Sequence, residues 1–219
     1  MPLFLKIYLL YFGVLYLSCF LTGCLLVRKS WPLEYKLLVV LSGLTLLIEA
    51  IIAINMAHRL DTRWIYNFFS PVECGFILYI LYRASMHPTI KRLNGLLLVL
   101  LPISIAISFY QHPGIFTFNE SASLFYDFLE LIASCSFLVG VLLNKSDVSP
   151  GRLPLFWMAC GMVFYCSIFT LQNAVADYIA RSSYPYFVLY SYVANTFMYA
   201  GFIACFVCLR RINRGASPA

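Results

Sequence analysis

Four polar side chains lie at one depth of an apolar chain, where an ionisable group is costly to bury. Glu49, Glu73 and Glu130 fall in three different apolar segments, and Asn195 lies at the matching position of another segment. Each is about eight or nine residues from the predicted outer end of its segment, roughly 12–14 Å at 1.5 Å per helical residue. No Lys or Arg lies in this layer. The carboxyl groups must therefore be protonated, share protons, or hold a cation or an amine-bearing ligand.

Other polar residues at helical spacing extend this layer outwards. Asn67 shares a helical face with Glu73, Asp127 lies one turn before Glu130, and Asn173 belongs to the polar face of another segment. If these faces meet, they form an outward-facing pocket that binds a ligand or handles protons. The predicted pocket residues are Glu49, Glu73, Glu130, Asn195, Asp127, Asn173 and Asn67.

Pro71 lies two residues before Glu73, inside an otherwise helical segment. Proline lacks the backbone N–H and clashes with the carbonyl of Asn67, so we predict a helix kink that frees backbone oxygens beside the carboxyl group. The alternative is a kink that only shapes packing, with Glu73 protonated and hydrogen-bonded to a neighbouring helix.

The composition is that of an integral membrane protein. Of the 219 residues, 62% are hydrophobic and 11% are charged, whereas a soluble domain has about 25% charged residues. Apolar runs long enough to cross about 30 Å of hydrocarbon recur along the chain. We predict an all-α membrane protein, a bundle of seven transmembrane helices forming a single domain without a soluble part. The predicted spans are residues 5–27, 37–57, 64–84, 93–110, 122–143, 155–178 and 186–209.

Positive charge predicts how the chain is threaded. Lys and Arg are concentrated at or just after the ends of the first, third, fifth and seventh spans, for example at Arg28, Arg83, Arg152 and Arg210. Because such residues are retained in the cytoplasm, the N-terminus is predicted outside and the C-terminus inside. We interpret the net charge of +6 as this topology signal and as contact between the protein and anionic lipid headgroups. No nucleic-acid partner is predicted.

The motifs for metal and covalent chemistry are incomplete. His58 and His112 are predicted outside and His87 inside, so three histidines cannot converge on zinc. Cys205 and Cys208 have CxxC spacing without further ligands, which favours a packing role. We therefore predict no catalytic residue, no metal site and no cofactor, and the sequence leaves enzymatic activity undecided, with the balance against it. A hard cation held by the carboxyl groups alone is the remaining metal alternative.

Two stretches resemble a group of small seven-helix membrane proteins of Bacteroidota that is associated with sensor histidine kinases. One is WIYNFFSPVE over residues 64–73, leading into Tyr79 and Tyr82, and the other is LPLFW over residues 153–157. The second stretch continues through Gly161 to Phe164 and Tyr165. The resemblance covers nearly the whole chain. It implies a sensory setting, and it carries over no ligand and no catalytic residue.

The predicted function is a membrane-embedded, receptor-like sensor in the bacterial inner membrane. Its pocket would take a small ligand or cation, and its basic inner loops would contact a separate cytoplasmic signalling partner, such as a histidine kinase. One alternative is a small proton- or cation-coupled transporter that uses the same carboxyl groups. Another is a structural membrane subunit. An intramembrane enzyme has the least support, because no nucleophile and base form a pair.

Overall fold

The computed structural model describes residues 3–58, 60–111, 114, 119–144, 149–174 and 184–215. Over these residues the chain forms seven long α-helices and no strand. Short 3-10 turns at Arg63–Ile65 and Pro150–Arg152 precede the third and sixth helices. The helices are α1 (Leu3–Leu26), α2 (Leu33–Ala57), α3 (Tyr66–Ala84), α4 (Pro88–Gln111), α5 (Glu120–Leu143), α6 (Pro154–Ala174) and α7 (Tyr184–Gly215).

The helices are longer than several of the apolar segments that predict them. α4 begins at Pro88 rather than at residue 93, and α7 continues to Gly215 rather than ending at residue 209. A helix satisfies its own backbone hydrogen bonds, so it can extend beyond the hydrocarbon into polar sequence. The predicted end of the sixth span, residues 175–178, lies outside the described residues.

Five of the helices are long and apolar enough to cross a membrane. They are α2, α4, α5, and the segments Pro154–Gln172 of α6 and Leu189–Ile212 of α7. α1 contributes a shorter apolar helix, Leu10–Leu26, and α3 is not among the candidate spans. Many large apolar side chains are exposed on the helices, which is typical of a lipid-facing surface. The chain is thus an all-helical, multi-pass membrane-type protein, and the count of seven spans remains a prediction.

Six helices close into a ring. α1 packs against α2 and α7, α2 packs against α3, α3 against α5, α5 against α6, and α6 against α7. α4 packs outside this ring, against α3 and α5. One half of the ring is filled by buried apolar side chains, including Leu41, Ile77, Leu81, Met158 and Phe202.

Asparagine side chains fix α4 to the ring at both of its ends. At one end Asn94 donates to Ser85 Oγ at 3.0 Å and accepts a hydrogen bond from Ser136 Oγ at 2.9 Å. At the other end Asn119 donates to Ser108 Oγ at 2.8 Å, and its Oδ1 also accepts from the backbone N–H of Ala122 at the start of α5. These bonds satisfy polar groups that would otherwise be left unpaired at a lipid-facing helix.

The contact between α6 and α7 is a backbone-to-backbone contact at two glycines. A Cβ atom on Gly201 would lie 2.7 Å from the carbonyl oxygen of Trp157 and 3.0 Å from Cα of Gly161. A Cβ atom on Gly161 would lie 2.8 Å from the carbonyl oxygen of Phe197. Small residues allow membrane helices to approach this closely, and here no flexible side chain could move aside to make room.

We expect Gly161→Ala and Gly201→Ala each to destabilise the protein by about 1–3 kcal/mol, because the added methyl group forces the helix backbones apart. The measurement is the unfolding transition of the purified protein in detergent. Gly13→Ala is the matched control, since a Cβ atom there would meet nothing within 4 Å. Equal effects of all three substitutions would show that the close contact between α6 and α7 is unimportant.

Candidate functional site

The ring of six helices encloses a cavity of about 280 Å³. Its lining residues come from α1, α2, α3, α5, α6 and α7, and none comes from α4. Five of the seven predicted pocket residues lie in its wall: Glu49, Glu73, Asp127, Glu130 and Asn195. Their common depth in the sequence therefore corresponds to a common cavity in the structure.

Helical spacing explains how each helix presents its polar groups to this cavity. On α2, Thr45 and Glu49 are four residues apart and both line it, and on α5, Asp127 and Glu130 do so at a spacing of three. On α7, Asn195 lies in the wall, and its Nδ2 donates to the backbone carbonyl of Ser191 at 2.9 Å.

The carboxyl groups differ in how deeply they lie. Glu130 is buried, with only 3% of its surface exposed, whereas Glu49, Glu73 and Asp127 are partly accessible. Glu120, a further carboxyl group in the wall, is an exposed residue in the first turn of α5. The cavity thus runs from Glu120 at its rim to Glu130 at its deepest point.

Hydrogen bonds to these carboxyl groups are few among the described residues. Tyr66 donates its hydroxyl to Glu49 Oε1 at 2.8 Å. Cys166 directs its thiol at Glu130 Oε2 with a separation of 3.8 Å, and a thiol is a weak donor. The remaining oxygens can therefore receive hydrogen bonds from a bound molecule.

Unpaired hydroxyl groups lie close to Glu130 and Cys166 along the chain. Ser134 is one turn from Glu130 on α5, and Thr170 is one turn from Cys166 on α6. The hydroxyl oxygen of each is buried without a hydrogen-bond partner in the described part of the chain. Buried polar groups normally have a hydrogen-bond partner, so these two hydroxyl groups are additional hydrogen-bonding groups near the depth of Glu130.

Aromatic rings make up much of the remaining wall, which the sequence interpretation missed. A usable signal was present, because Phe69, Tyr126 and Tyr199 each lie four residues from Glu73, Glu130 and Asn195, respectively. Residues four apart share a helical face, so a carboxyl group that faces the cavity brings its aromatic neighbour with it. The aromatic lining residues are Tyr16, Tyr66, Phe69, Tyr126, Tyr165, Phe169 and Tyr199.

The electrostatic character of the cavity is uniform. Five carboxyl groups line it, and no Lys, Arg or His among the described residues does so. Because the surrounding helices and lipid have a low dielectric constant, this arrangement favours a bound positive charge. When these carboxyl groups are ionised, a neutral or anionic ligand leaves their charge without compensation.

The remaining predicted pocket residues are Asn67, which is not a lining residue of the cavity, and Asn173. Asn67 instead accepts a hydrogen bond from the backbone N–H of Asn119 at 2.9 Å, which connects α3 to the start of α5. The helical spacing between Asn67 and Glu73 therefore did not predict the contacts of Asn67, because its side chain is hydrogen-bonded to Asn119. The side chain of Asn173 lies outside the described part of the chain.

Pro71 is buried within α3, which continues as a single helix on both sides of it. The missing N–H leaves the carbonyl of Asn67 without its usual helical donor. The neighbouring residues Ser70 and Glu73 both line the cavity. The predicted kink itself remains a prediction.

The carboxyl groups are not arranged around a single point. Within the described residues, no three side chains of the His, Cys, Asp and Glu types are placed to hold one metal ion. A hard cation needs several converging oxygen ligands. The carboxylate-only metal site stays an alternative predicted from the sequence.

Comparisons with protein-family models, with curated proteins and with solved structures each found no match. The resemblance to small seven-helix proteins of Bacteroidota consequently remains a prediction, and the candidate site rests on its geometry.

We expect Tyr66→Phe to lower the free energy of unfolding by about 0.5–1.5 kcal/mol, because it removes the hydrogen bond to Glu49 and keeps the ring. The measurement is thermal or denaturant unfolding in detergent. Tyr110→Phe is the control, since it removes the same atom from a side chain that is 88% exposed. An unchanged stability for Tyr66→Phe would show that the Tyr66–Glu49 bond does not help to shape the cavity.

Proposed function

We propose that the protein is a membrane-embedded, receptor-like sensor whose cavity opens outwards and binds a small organic cation. The observation that carries this proposal is the composition of the cavity wall. Five carboxyl groups and seven aromatic side chains face one enclosed volume, without a lining basic residue among those described.

The wall fits an organic ammonium group in two ways. The carboxyl groups supply counter-charge and hydrogen-bond acceptors, and the aromatic faces attract a cation within about 6 Å through their quadrupoles. Rings also provide apolar contact for the carbon part of such a ligand. A cavity of about 280 Å³ is close to the lower end of ligand-pocket sizes, which favours a small amine.

The proposed orientation follows from where the charges and the cavity lie along the helices. On α3, Glu73 lies in the first half and Arg83 lies in the last turn. On α7, Asn195 precedes Arg210 and Arg211 by about four turns. On these two helices the arginines therefore lie at the end away from the cavity. By the positive-inside rule this end is cytoplasmic, and the cavity then faces outside.

The same arrangement supports seven spans. α1 supplies Tyr16 to the wall, and α3 supplies Glu73, so both helices must stand beside the five long apolar helices. Ser70 and Glu73 lower the hydropathy of α3, yet both line the cavity inside the ring rather than the outer surface.

Signalling would require that the bound cation favour one packing of the ring over another. A ligand shifts an equilibrium only through its different affinity for the two states. α7 contributes Asn195 and Tyr199 to the cavity and extends to Gly215 at the opposite end. A shift of this helix would carry ligand binding to a cytoplasmic partner, with a histidine kinase as the partner class that the resemblance implies.

A cation transporter is the second candidate, and an inner cavity favours it. A space of about 410 Å³ lies at the other end of the ring, beside the ion pair in which Arg83 Nε donates to Glu34 Oε1 at 3.0 Å. The buried layer of Leu41, Ile77 and Leu81 would separate this space from the acidic cavity. Uptake of an amine by proteoliposomes would distinguish a transporter from a sensor.

We expect the protein in lipid nanodiscs to bind phenethylamine and to reject phenethyl alcohol, which has a similar shape and no positive charge. Glu73→Gln should weaken phenethylamine binding roughly tenfold or more, because it removes a charged acceptor from the wall. The affinity for each compound is measured by calorimetry or by the ligand-induced rise in melting temperature. Glu34→Gln is the control, since it removes the same charge outside the cavity. Equal affinity for the amine and the alcohol would contradict the proposal.

The orientation has its own test in intact cells. In a variant without the native cysteines, Leu60→Cys and Met86→Cys place single thiols in loops at opposite ends, at positions that are 58% and 78% exposed. A membrane-impermeant maleimide should label the cysteine at position 60 without cell lysis and the cysteine at position 86 only after lysis. The reverse pattern would place the cavity mouth in the cytoplasm.

A further inference from the structure

We propose that a groove between the start of α6 and the end of α7 is a specific site for an anionic glycerophospholipid. The groove has a volume of about 860 Å³ and lies at the end of the ring away from the acidic cavity. The proposal needs only that the protein is embedded in a membrane, so it stands independently of the function proposed for the acidic cavity.

Two guanidinium groups flank this groove. Arg152 lies in the 3-10 turn before α6, and Arg211 lies on α7. Both side chains are exposed, and neither makes an ion pair with a residue that the structure describes. Among the described lining residues of the groove there is no carboxyl group. The positive charge of the two arginines is therefore complementary to a phosphate group, which guanidinium binds through paired hydrogen bonds.

The turn that carries Arg152 is fixed in place by side-chain hydrogen bonds. Trp157 Nε1 donates to the carbonyl of Gly151 at 2.9 Å. From α7, Cys208 directs its thiol at the carbonyl oxygens of Gly151 and Arg152, at 3.8 and 3.5 Å. The backbone of the turn that carries Arg152 is thus connected to α7, which carries Arg211, so both arginines belong to one groove.

The rest of the groove is apolar and continuous with the lipid-facing surface. Leu153, Val207 and Ile212 line it together with the indole of Trp157. Trp157 and Ile212 are 40% and 44% exposed. Indole rings are enriched at the level of the lipid headgroups. The two arginines would bind the phosphodiester of a phospholipid, and the apolar part of the groove would bind its acyl chains. A free phosphate ion would use only the arginines, whereas a phospholipid would use the whole groove.

The test is native mass spectrometry of the full-length protein in mixed micelles containing equal amounts of phosphatidylglycerol and phosphatidylcholine. We expect retention of phosphatidylglycerol over phosphatidylcholine. Arg152→Gln combined with Arg211→Gln should reduce that retention roughly tenfold. The control variant, Arg28→Gln combined with Arg92→Gln, removes the same charge from exposed sites outside the groove and should change retention less than about twofold.

A second variant keeps both arginines and fills the groove. Ala204→Phe should also reduce phosphatidylglycerol retention, because its ring would occupy the space for the acyl chains. The melting temperature shows that each variant is folded. Three results would overturn the proposal: equal loss in the control variant, equal retention of the two lipids, or displacement of phosphatidylglycerol by millimolar inorganic phosphate. The last result would identify a phosphate site rather than a lipid site.

Discussion

Polar side chains can lie within a bilayer only where protein encloses them, and this constraint shapes the whole molecule. An unpaired carboxyl or amide group that faces lipid raises the free energy of the folded protein by roughly several kcal/mol. Five carboxyl groups are therefore accommodated by a ring of helices that must be closed on all sides. Closure depends on α7, which contacts both α6 and α1.

The two contacts of α7 are of different kinds. Towards α6 the backbones meet at Gly161 and Gly201, so the distance between these helices is fixed by atoms that cannot move aside. Towards α1 the contact is aromatic, with ring centroids of Tyr16 and Tyr199 at 4.7 Å and of Phe12 and Tyr192 at 5.1 Å. A ligand that touches Tyr16 and Tyr199 therefore acts at the aromatic contact between α1 and α7 rather than at the glycine contact between α6 and α7.

Much of this arrangement could be predicted from the sequence, because the bilayer imposes simple rules. Apolar length indicated all seven helices, and helical spacing placed Glu49, Glu73, Asp127, Glu130 and Asn195 on inward faces that do meet in one cavity. Other features depend on which helices are neighbours, and a single sequence does not give that information. The position of α4 outside the ring and the bond from Asn119 to Asn67 belong to this class.

Only part of the chemistry of the cavity wall could be predicted from the sequence. The expected pocket was polar, and the cavity is both acidic and aromatic. Aromatic residues are frequent throughout this chain, so their presence on the carboxyl-bearing faces did not stand out against the background. The groove beside Arg152 and Arg211 was not predicted either. Positive charge near helix ends is expected from membrane topology alone, so these two arginines did not indicate a binding site.

The most direct test of an acidic, aromatic cavity that opens outwards is the accessibility of a thiol placed in its wall. Ser123 lines the cavity near its rim, and Ser123→Cys in a background without the native cysteines provides that thiol. A quaternary-ammonium methanethiosulfonate, applied outside intact cells, should modify it many times faster than a sulfonate methanethiosulfonate of similar size, and phenethylamine should slow the reaction. Equal rates for the two reagents, or reaction only from the cytoplasmic side, would contradict the account.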